Sequence, residues 1–292
     1  MIYVIGDIML DRWICGTVDR LSPEAPVPVL FENEVSESLG GAANVASNIQ
    51  ILEDVCVYGV LGDDDNGRIV TDMMAENGID SKIKKLSSGC TTTKTRLVTD
   101  SGQHILRWDK EKCVDTCKQP TLDLLEDVEK GSCVVVSDYA KGVVTNDTVS
   151  SLSDNCVVFV DPKENPEKYR GAFLVKPNMD KYKSWNGEYC KMSALDLMNK
   201  YNWEWLVVTD GELGIHVLCI DGRYQHHLED PCNVLDVTGA GDVVISILAC
   251  GYLAGLDMFE ACRVANSVAT KSVQKKGTSN INPEDIFSGG LI

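Results

Sequence analysis

The residues best suited to chemistry lie in the stretch Asp236-Val237-Thr238-Gly239-Ala240-Gly241-Asp242. Two glycines flank one alanine, so the backbone there can turn tightly and lie close to a ligand. The apolar run from Val243 to Leu253 reads as a helix, with no proline until Pro283. A small-residue turn opening into a helix leaves backbone N–H groups without intrahelical partners. With the positive end of the helix dipole, those donors form an anion site. Asp242 places a carboxylate among them, which is unfavourable for anion binding alone. It is sensible if the carboxylate takes a proton from a hydroxyl that attacks a phosphoryl group held beside it. The same residues also suit a tight loop with no further role, and a motif this short needs context.

The context is the set of elements that must hold this turn. Ile2 to Ile5 is a short apolar run ended by Gly6, as in a buried strand. Asp7 and Asp11 follow its end, and ligands in open α/β sheets bind outside the carboxyl ends of strands. A carboxylate there either accepts hydrogen bonds from sugar hydroxyls or caps a loop. Residues 12 to 38 contain Pro23, Pro26 and Pro28 and are too irregular for a helix, which predicts β-strands outside the main sheet. Gly40-Gly41 precedes a helix from Ala42 to Ile49, in which Asn44 can offer its amide to a ligand; close packing of helix on strand explains the glycines equally well. Val55 to Leu61 is the next strand. Asp63, Asp64 and Asp65 lack the EF-hand spacing and fit a solvated turn capping a helix that stops at Gly78.

Thr91 to Thr99 and Gln103 to Trp108, joined by Asp100-Ser101-Gly102, predict a β-hairpin. Alternation puts Lys94 and Arg96 on one side, and with Arg107 they form a basic face that is either solvated or turned to a phosphate. Helices at Gln119 to Lys130, Thr145 to Leu152 and Ser193 to Asn202 then alternate with strands at Cys133 to Ser137, Cys156 to Val160, Phe173 to Lys176 and Trp205 to Thr209. That pattern predicts a mostly parallel sheet covered by helices on both faces. Polar residues collect at the strand ends: Asp138 and Lys141, Asp161 and Lys163, Lys176-Pro177-Asn178, Thr209-Asp210-Gly211. Gly214 to Cys219, with a turn at Asp221-Gly222, predicts an antiparallel addition at the edge, and the last helix runs from about Met258 to Val273.

The 292 residues are 44% hydrophobic and 24% charged, enough to bury a large core in one or two domains. A net charge of −17 repels polyanions, which argues against nucleic acid and anionic membrane surfaces as partners. The twelve cysteines are scattered, mostly inside apolar runs, with only Cys113 and Cys117 close together. They read as reduced core thiols of a cytoplasmic protein, not as a disulfide framework or a zinc site. No signal peptide and no membrane span is expected from the sequence.

Gly40-Gly41 with Asn44, Thr209-x-Gly211-x-x-Gly214 and the turn from Asp236 to Asp242 come in the order and rough spacing of the ribokinase-like (PfkB) sugar kinases, which the chain resembles over essentially its whole length. Within that family, Gly6 to Arg12, Leu21 to Val29, Gly40 to Ala46, Lys94-Thr95-Arg96, Ser137 to Gly142 and Val160 to Lys163 are similar to the bacterial heptose 7-phosphate kinases. The resemblance implies a single kinase domain over residues 1–292, folded as an α/β three-layer sandwich with a small β-strand lid from about 12–35 and 90–109. It also implies a homodimer through the lid and no nucleotidyltransferase domain. The implied reaction moves the ATP γ-phosphate to the anomeric hydroxyl of D-glycero-D-manno-heptose 7-phosphate, with Mg²⁺ carried on the ATP phosphates.

In residue terms the resemblance implies Asp242 as the catalytic base and Thr238, Gly239, Ala240 and Gly241 as the anion hole. Asp11, Gly40, Gly41, Asn44 and Asp138 would contact the sugar. Asn178, Thr209, Gly211 and Asn266, with Gly239 and Gly241, would serve the nucleotide, and Asp236 would stand beside a monovalent cation such as K⁺. Lys94 and Arg96 are assigned to the 7-phosphate from their charge and hairpin position. The chain departs from the family where Asn-x-x-Glu is usual: Asn178-Met179-Asp180-Lys181 puts a lysine in the place of the glutamate. Val243 also stands where a small polar residue is common. A kinase for another sugar, or a sugar-phosphate-binding module with little turnover, are the competing readings; Lys181 is the feature that favours the second.

Overall fold

The computed structural model describes residues 1–87, 89–111, 125, 127–275, 277–278 and 280–289. The helix expected from Gln119 to Lys130 and the pair Cys113 and Cys117 lie largely outside them. The chain runs β1 (Ile2–Gly6), β2 (Ile8–Leu21), β3 (Pro28–Gly41), α1 (Ala42–Gln50), β4 (Val55–Gly62), α2 (Asp65–Glu76), β5 (Asp80–Leu86), β6 (Thr92–Thr99) and β7 (His104–Lys110). It continues through β8 (Cys133–Ser137), α3 (Thr148–Ser153), β9 (Val157–Asp161), β10 (Leu174–Val175), α4 (Met179–Asn186), α5 (Lys191–Tyr201) and β11 (Trp205–Thr209). Last come β12 (Ile215–Cys219), β13 (Tyr224–His227), α6 (Ala240–Leu253), α7 (Met258–Ser272) and α8 (Pro283–Gly289).

The central sheet is ordered β13-β12-β11-β10-β9-β8-β1-β4-β5. Every neighbouring pair from β11 to β5 is parallel, and β12 and β13 add the antiparallel edge. The strands show why both faces must be covered. Ile2, Val4, Cys133, Val135, Trp205 and Val207 pack in one core with residues of α1, α6 and α7. Their sequence neighbours Tyr3, Ile5, Val134, Val136, Leu206 and Val208 pack in a second core with residues of α4 and α5. Near-continuous apolar runs are what a strand with two buried faces requires, and alternation divides each run between the layers. The result is the three-layer α/β arrangement expected from the alternating pattern.

Residues 12 to 38 do form strands outside this sheet. β2 and β3 join β6 and β7 in a second sheet ordered β3-β2-β6-β7. Gly40 and Gly41 end β3 and are not a separate turn; Gly41, in the left-handed region at φ 59, is the N-cap of α1. Asp64 caps α2 by accepting from the Gly67 N–H, as the solvated-turn reading expects. Three elements escape the sequence reading. β5 is a largely exposed edge strand with little apolar content, α4 is a short helix started by Asn178, and α8 follows Pro283. No described helix is long and apolar enough to cross a membrane, and no described cysteine forms a disulfide.

Candidate active site

The turn before α6 is built as its residues suggest. Gly239 is the N-cap, in the left-handed region at φ 82, where a side chain would be strained. Asp242 lies in the first turn of α6 and is only 3% exposed. Its Oδ2 accepts a 2.7 Å hydrogen bond from Asn44 Nδ2, and its Oδ1 accepts one of 3.0 Å from the Tyr139 hydroxyl. Burial pushes the carboxyl up to about 7 and Asp161 adds to the rise, while the hydrogen bonds from Asn44 and Tyr139 and the charge of Lys176 pull the other way. A carboxylate poised near neutrality suits a general base.

The partners of Asp242 are set by two further pieces of local structure. Asn44 is placed by the junction of β3 and α1. A Cβ on Gly40 would come within 2.6 Å of Asp11 Oδ2, and one on Gly41 would run into the Asp7 carbonyl oxygen. The glycines therefore let this junction close against Asp7, between β1 and β2, and against Asp11 on β2. Tyr139 is placed by Asp7, whose buried carboxylate accepts from the N–H groups of Tyr139 (2.8 Å), Lys141 (3.0 Å) and Val143 (3.1 Å). That carboxylate is held above its usual range by its own burial, against the pull of those amides. The loop around it also carries Ala140 at φ 58, a left-handed conformation that costs a residue with a Cβ about 1 kcal/mol or more.

Beside the turn stands a cation that sequence reasoning placed only at a strand end. Lys176 is 3% exposed, and its Nζ is 3.1 Å from Asp161 Oδ2. A Cβ on Gly241 would meet that Nζ at 3.3 Å. The Lys176 ammonium thus lies against Gly241 in the first turn of α6, one residue from Asp242, where a cation can serve a phosphoryl group in transfer. Next to it opens a cavity of about 490 Å³, lined in part by Thr209, Gly211, Ala240, Gly241, Val244 and Asn266. It brings together most of the residues expected on the nucleotide side. Asn266 also donates from Nδ2 to the His227 carbonyl.

On the opposite side of Asp242, Asp11 and Arg96 form a buried ion pair of 2.6 Å, and the guanidinium lies 4.8 Å from the Trp13 ring centroid. Lys94 Nζ lies 4.7 Å from the centroid of the Tyr139 ring. Among the described residues Lys94 has no ion-pair partner within 4.0 Å, and burial pushes its pKa down. Asp11, Gly40, Gly41, Asn44, Lys94, Arg96 and Asp242 are therefore connected through direct contacts and through Tyr139. The sequence reading passed over Tyr139; its signal was its place in Ser137 to Gly142 at the end of β8.

Three expected site residues do not join this group. Asp138 is consumed internally: its Oδ1 accepts from the Ala140 N–H, and its Oδ2 from the Tyr169 hydroxyl and the Lys168 ammonium. These contacts tie it to the loop and to the Lys168–Tyr169 segment. Asn178 is exposed and spends its Oδ1 capping α4 at the Lys181 N–H, although its backbone bridges Thr209. Asp236 accepts from the N–H groups of Thr238 and Gly277, clamping the turn to the segment after α7. No group of three or more His, Cys, Asp or Glu side chains able to hold a metal occurs among the described residues. A lysine at 181 and a capping Asn178 fit a resident divalent ion poorly.

Comparison with known proteins accords with this geometry. The bifunctional protein HldE of Trichlorobacter lovleyi is 35% identical over 302 residues, covering 98% of this chain and 62% of its own length. That of Shewanella sp. strain MR-4 is 36% identical over 295 residues, covering 96% of this chain and 61% of its own. The chain thus spans under two thirds of the length of these relatives. Among solved structures, phosphofructokinase-2 from Escherichia coli in complex with substrates and products superposes with a TM-score of 0.82 at 18% identity, covering 99% of this chain and 97% of that one. Ribokinase from Thermotoga maritima superposes at 0.77 and 18% identity, covering 99% and 98%. Both share the fold. The signature of the pfkB family carbohydrate kinases matches residues 1–285, and the chain belongs to that family, whose members are phosphotransferases with a sugar hydroxyl as acceptor.

Proposed function

We propose that this chain phosphorylates the anomeric hydroxyl of a heptose 7-phosphate, D-glycero-D-manno-heptose 7-phosphate, giving the 1,7-bisphosphate for ADP-heptose synthesis. The observation that carries the reading is Lys94, a half-buried ammonium on the Tyr139 ring without an ion-pair partner within 4.0 Å among the described residues, beside Arg96. A partly desolvated cation with no close counter-ion is unfavourable, and an anionic group on the acceptor offsets that cost. Similarity to the kinase-length part of HldE proteins supports the particular sugar.

In this reading ATP occupies the cavity lined by Thr209, Gly211 and Asn266, with its γ-phosphate against the Gly239 to Gly241 amides and Lys176. Mg²⁺ arriving on the ATP phosphates supplies further charge neutralisation. Asp242 takes the proton of the anomeric hydroxyl as that oxygen attacks in line. Closure of the four-stranded sheet over the acceptor would exclude water as a competing acceptor.

The test is ATP consumption with heptose 7-phosphate, mannose 6-phosphate, fructose 6-phosphate and the unphosphorylated sugars. A site whose half-buried cation is left unpaired by the wrong acceptor should favour the phosphorylated sugar by about 10-fold or more in kcat/KM. Equal turnover of phosphorylated and unphosphorylated sugars would remove Lys94 from this role. The same reading includes a homodimer through the four-stranded sheet, which leaves Leu21, Phe31, Leu106 and Trp108 exposed, Trp108 by 63%. An apolar group of this kind marks an interaction surface. Trp108→Glu should convert a dimer to a monomer in light scattering; an unchanged mass would place the contact elsewhere.

A further inference from the structure

We propose that Tyr139 is a positioning residue that sets the basicity of Asp242 and links it to the occupancy of Lys94. This rests on the reading of Asp242 as the general base. Three contacts meet on this one side chain. Its hydroxyl donates to Asp242 Oδ1 at 3.0 Å, its ring carries the Lys94 ammonium 4.7 Å from the centroid, and its backbone N–H is fixed by Asp7 at 2.8 Å. Asp7 also holds the N–H groups of Lys141 and Val143, so the loop cannot turn the ring without breaking a buried cluster.

A cation on the face of a phenol draws electron density from the ring and makes the hydroxyl a stronger donor. A stronger donor to the ionised form of Asp242 holds its pKa lower. When an anionic group on the acceptor draws Lys94 off the ring, the donor weakens and Asp242 becomes the better base. The base is therefore held back while the acceptor side is vacant and released once a phosphate-bearing sugar is seated. That order limits loss of ATP to water, because the cation that recognises the acceptor is the one that restrains the base. The other charged and titratable groups around Asp242 are Asp161 at the end of β9 and Lys176 beyond β10; around Lys94 they are Asp11, Arg96, Arg107 and Asp109 on β2, β6 and β7. Of all these groups, Tyr139 alone is recorded in contact with both Asp242 and Lys94.

The test reads the carboxyl itself, so it needs no substrate. ¹³C-aspartate-labelled protein is titrated by NMR, and the signal of residue 242 is assigned by its loss in Asp242→Asn. Tyr139→Phe keeps the ring and removes the hydroxyl; it should raise the pKa of Asp242 by about one unit, the effect of losing one hydrogen bond to a charged group. Site-specific 3-fluorotyrosine at 139 makes the phenol more acidic and should move the pKa the other way, which a packing effect does not predict. Lys94→Met should raise the pKa in the parent protein and leave it unmoved in Tyr139→Phe, the non-additivity expected when one residue acts through another. An unmoved signal in both Tyr139 variants overturns the proposal, and an equal Lys94→Met shift in both backgrounds overturns the link through the ring. The reading of Asp242 as base stands or falls separately, on the turnover of Asp242→Asn.

Discussion

Asp242→Asn should lower kcat by about 10²–10⁴ with ATP affinity nearly kept, the usual range for loss of a general base, and should melt at a higher temperature than the parent protein at pH 8. The second half follows from burial. The carboxyl is pushed from 3.8 up to about 7 in the folded chain, mainly by removal from water. Between those values the folded state holds a proton that the unfolded state has released, so stability falls as pH rises through that window. Above about pH 7 the full deficit is present, and roughly three units at ~1.4 kcal/mol each sets an upper bound near 4 kcal/mol. Asparagine carries no charge and removes it. Its amide can still pair with Asn44, whose side chain turns over, and still accept from Tyr139, so no buried group is orphaned. The stability gain should be largest at pH 8 and nearly vanish at about pH 3, where aspartate is mostly protonated in both states. Calorimetry at the two pH values decides. A variant that keeps its turnover removes Asp242 from catalysis, and one that gains no stability at pH 8 shows that the carboxylate is comfortably solvated.

The parent enzyme should accordingly lose activity as pH falls through about 7, as Asp242 takes up its proton. This identifies what the site retains at the expense of stability: a charge in a dry place. Natural active sites keep such features because function depends on them.

What could be read from the chain follows a physical division. The turn from Asp236 to Asp242 was legible because its constraints are local: glycine where φ is positive, small residues where a ligand approaches, an apolar helix directly after. The central strands were legible because burial on both faces demands continuous apolar runs. β5 was not, because an exposed edge strand has no such demand. Tyr139 was missed because its role is made by contacts far apart in sequence: Asp7 lies 132 residues before it and Asp242 lies 103 after it. The internal partners of Asp138 were hidden for a related reason. Lys168 and Tyr169, which engage its carboxylate, carry no mark in the sequence that pairs them with it. Lys176 had a partial signal, since a polar residue at a strand end is where a site collects, but nothing in the sequence aims its ammonium at Gly241.

Lys94 and Arg96, grouped together by charge and alternation, should behave in opposite ways when neutralised. Lys94→Met should raise KM for a phosphorylated acceptor about 10–10²-fold, the loss of one charge-assisted contact, with KM for ATP little changed and the melting temperature unchanged or higher. A half-buried ammonium with no ion-pair partner within 4.0 Å among the described residues contributes little to the empty fold, and methionine fills the same space without a charge to desolvate. Arg96→Met should instead destabilise the fold by about 3–5 kcal/mol, because it strands Asp11 as a buried, unpaired carboxylate. The two side chains are 9% and 6% exposed, so water cannot take over. Arg96→Met combined with Asp11→Asn should recover much of that stability, since the charge left behind has gone, while the acceptor KM stays high. Denaturant melts and acceptor titrations on the three variants separate the expected roles, Lys94 in recognising the acceptor and Arg96 first in holding Asp11 in place. Equal losses of stability in Lys94→Met and Arg96→Met would mean that Lys94 supports the folded chain as Arg96 does, and the case for a cation held in reserve for a sugar phosphate would fail with it.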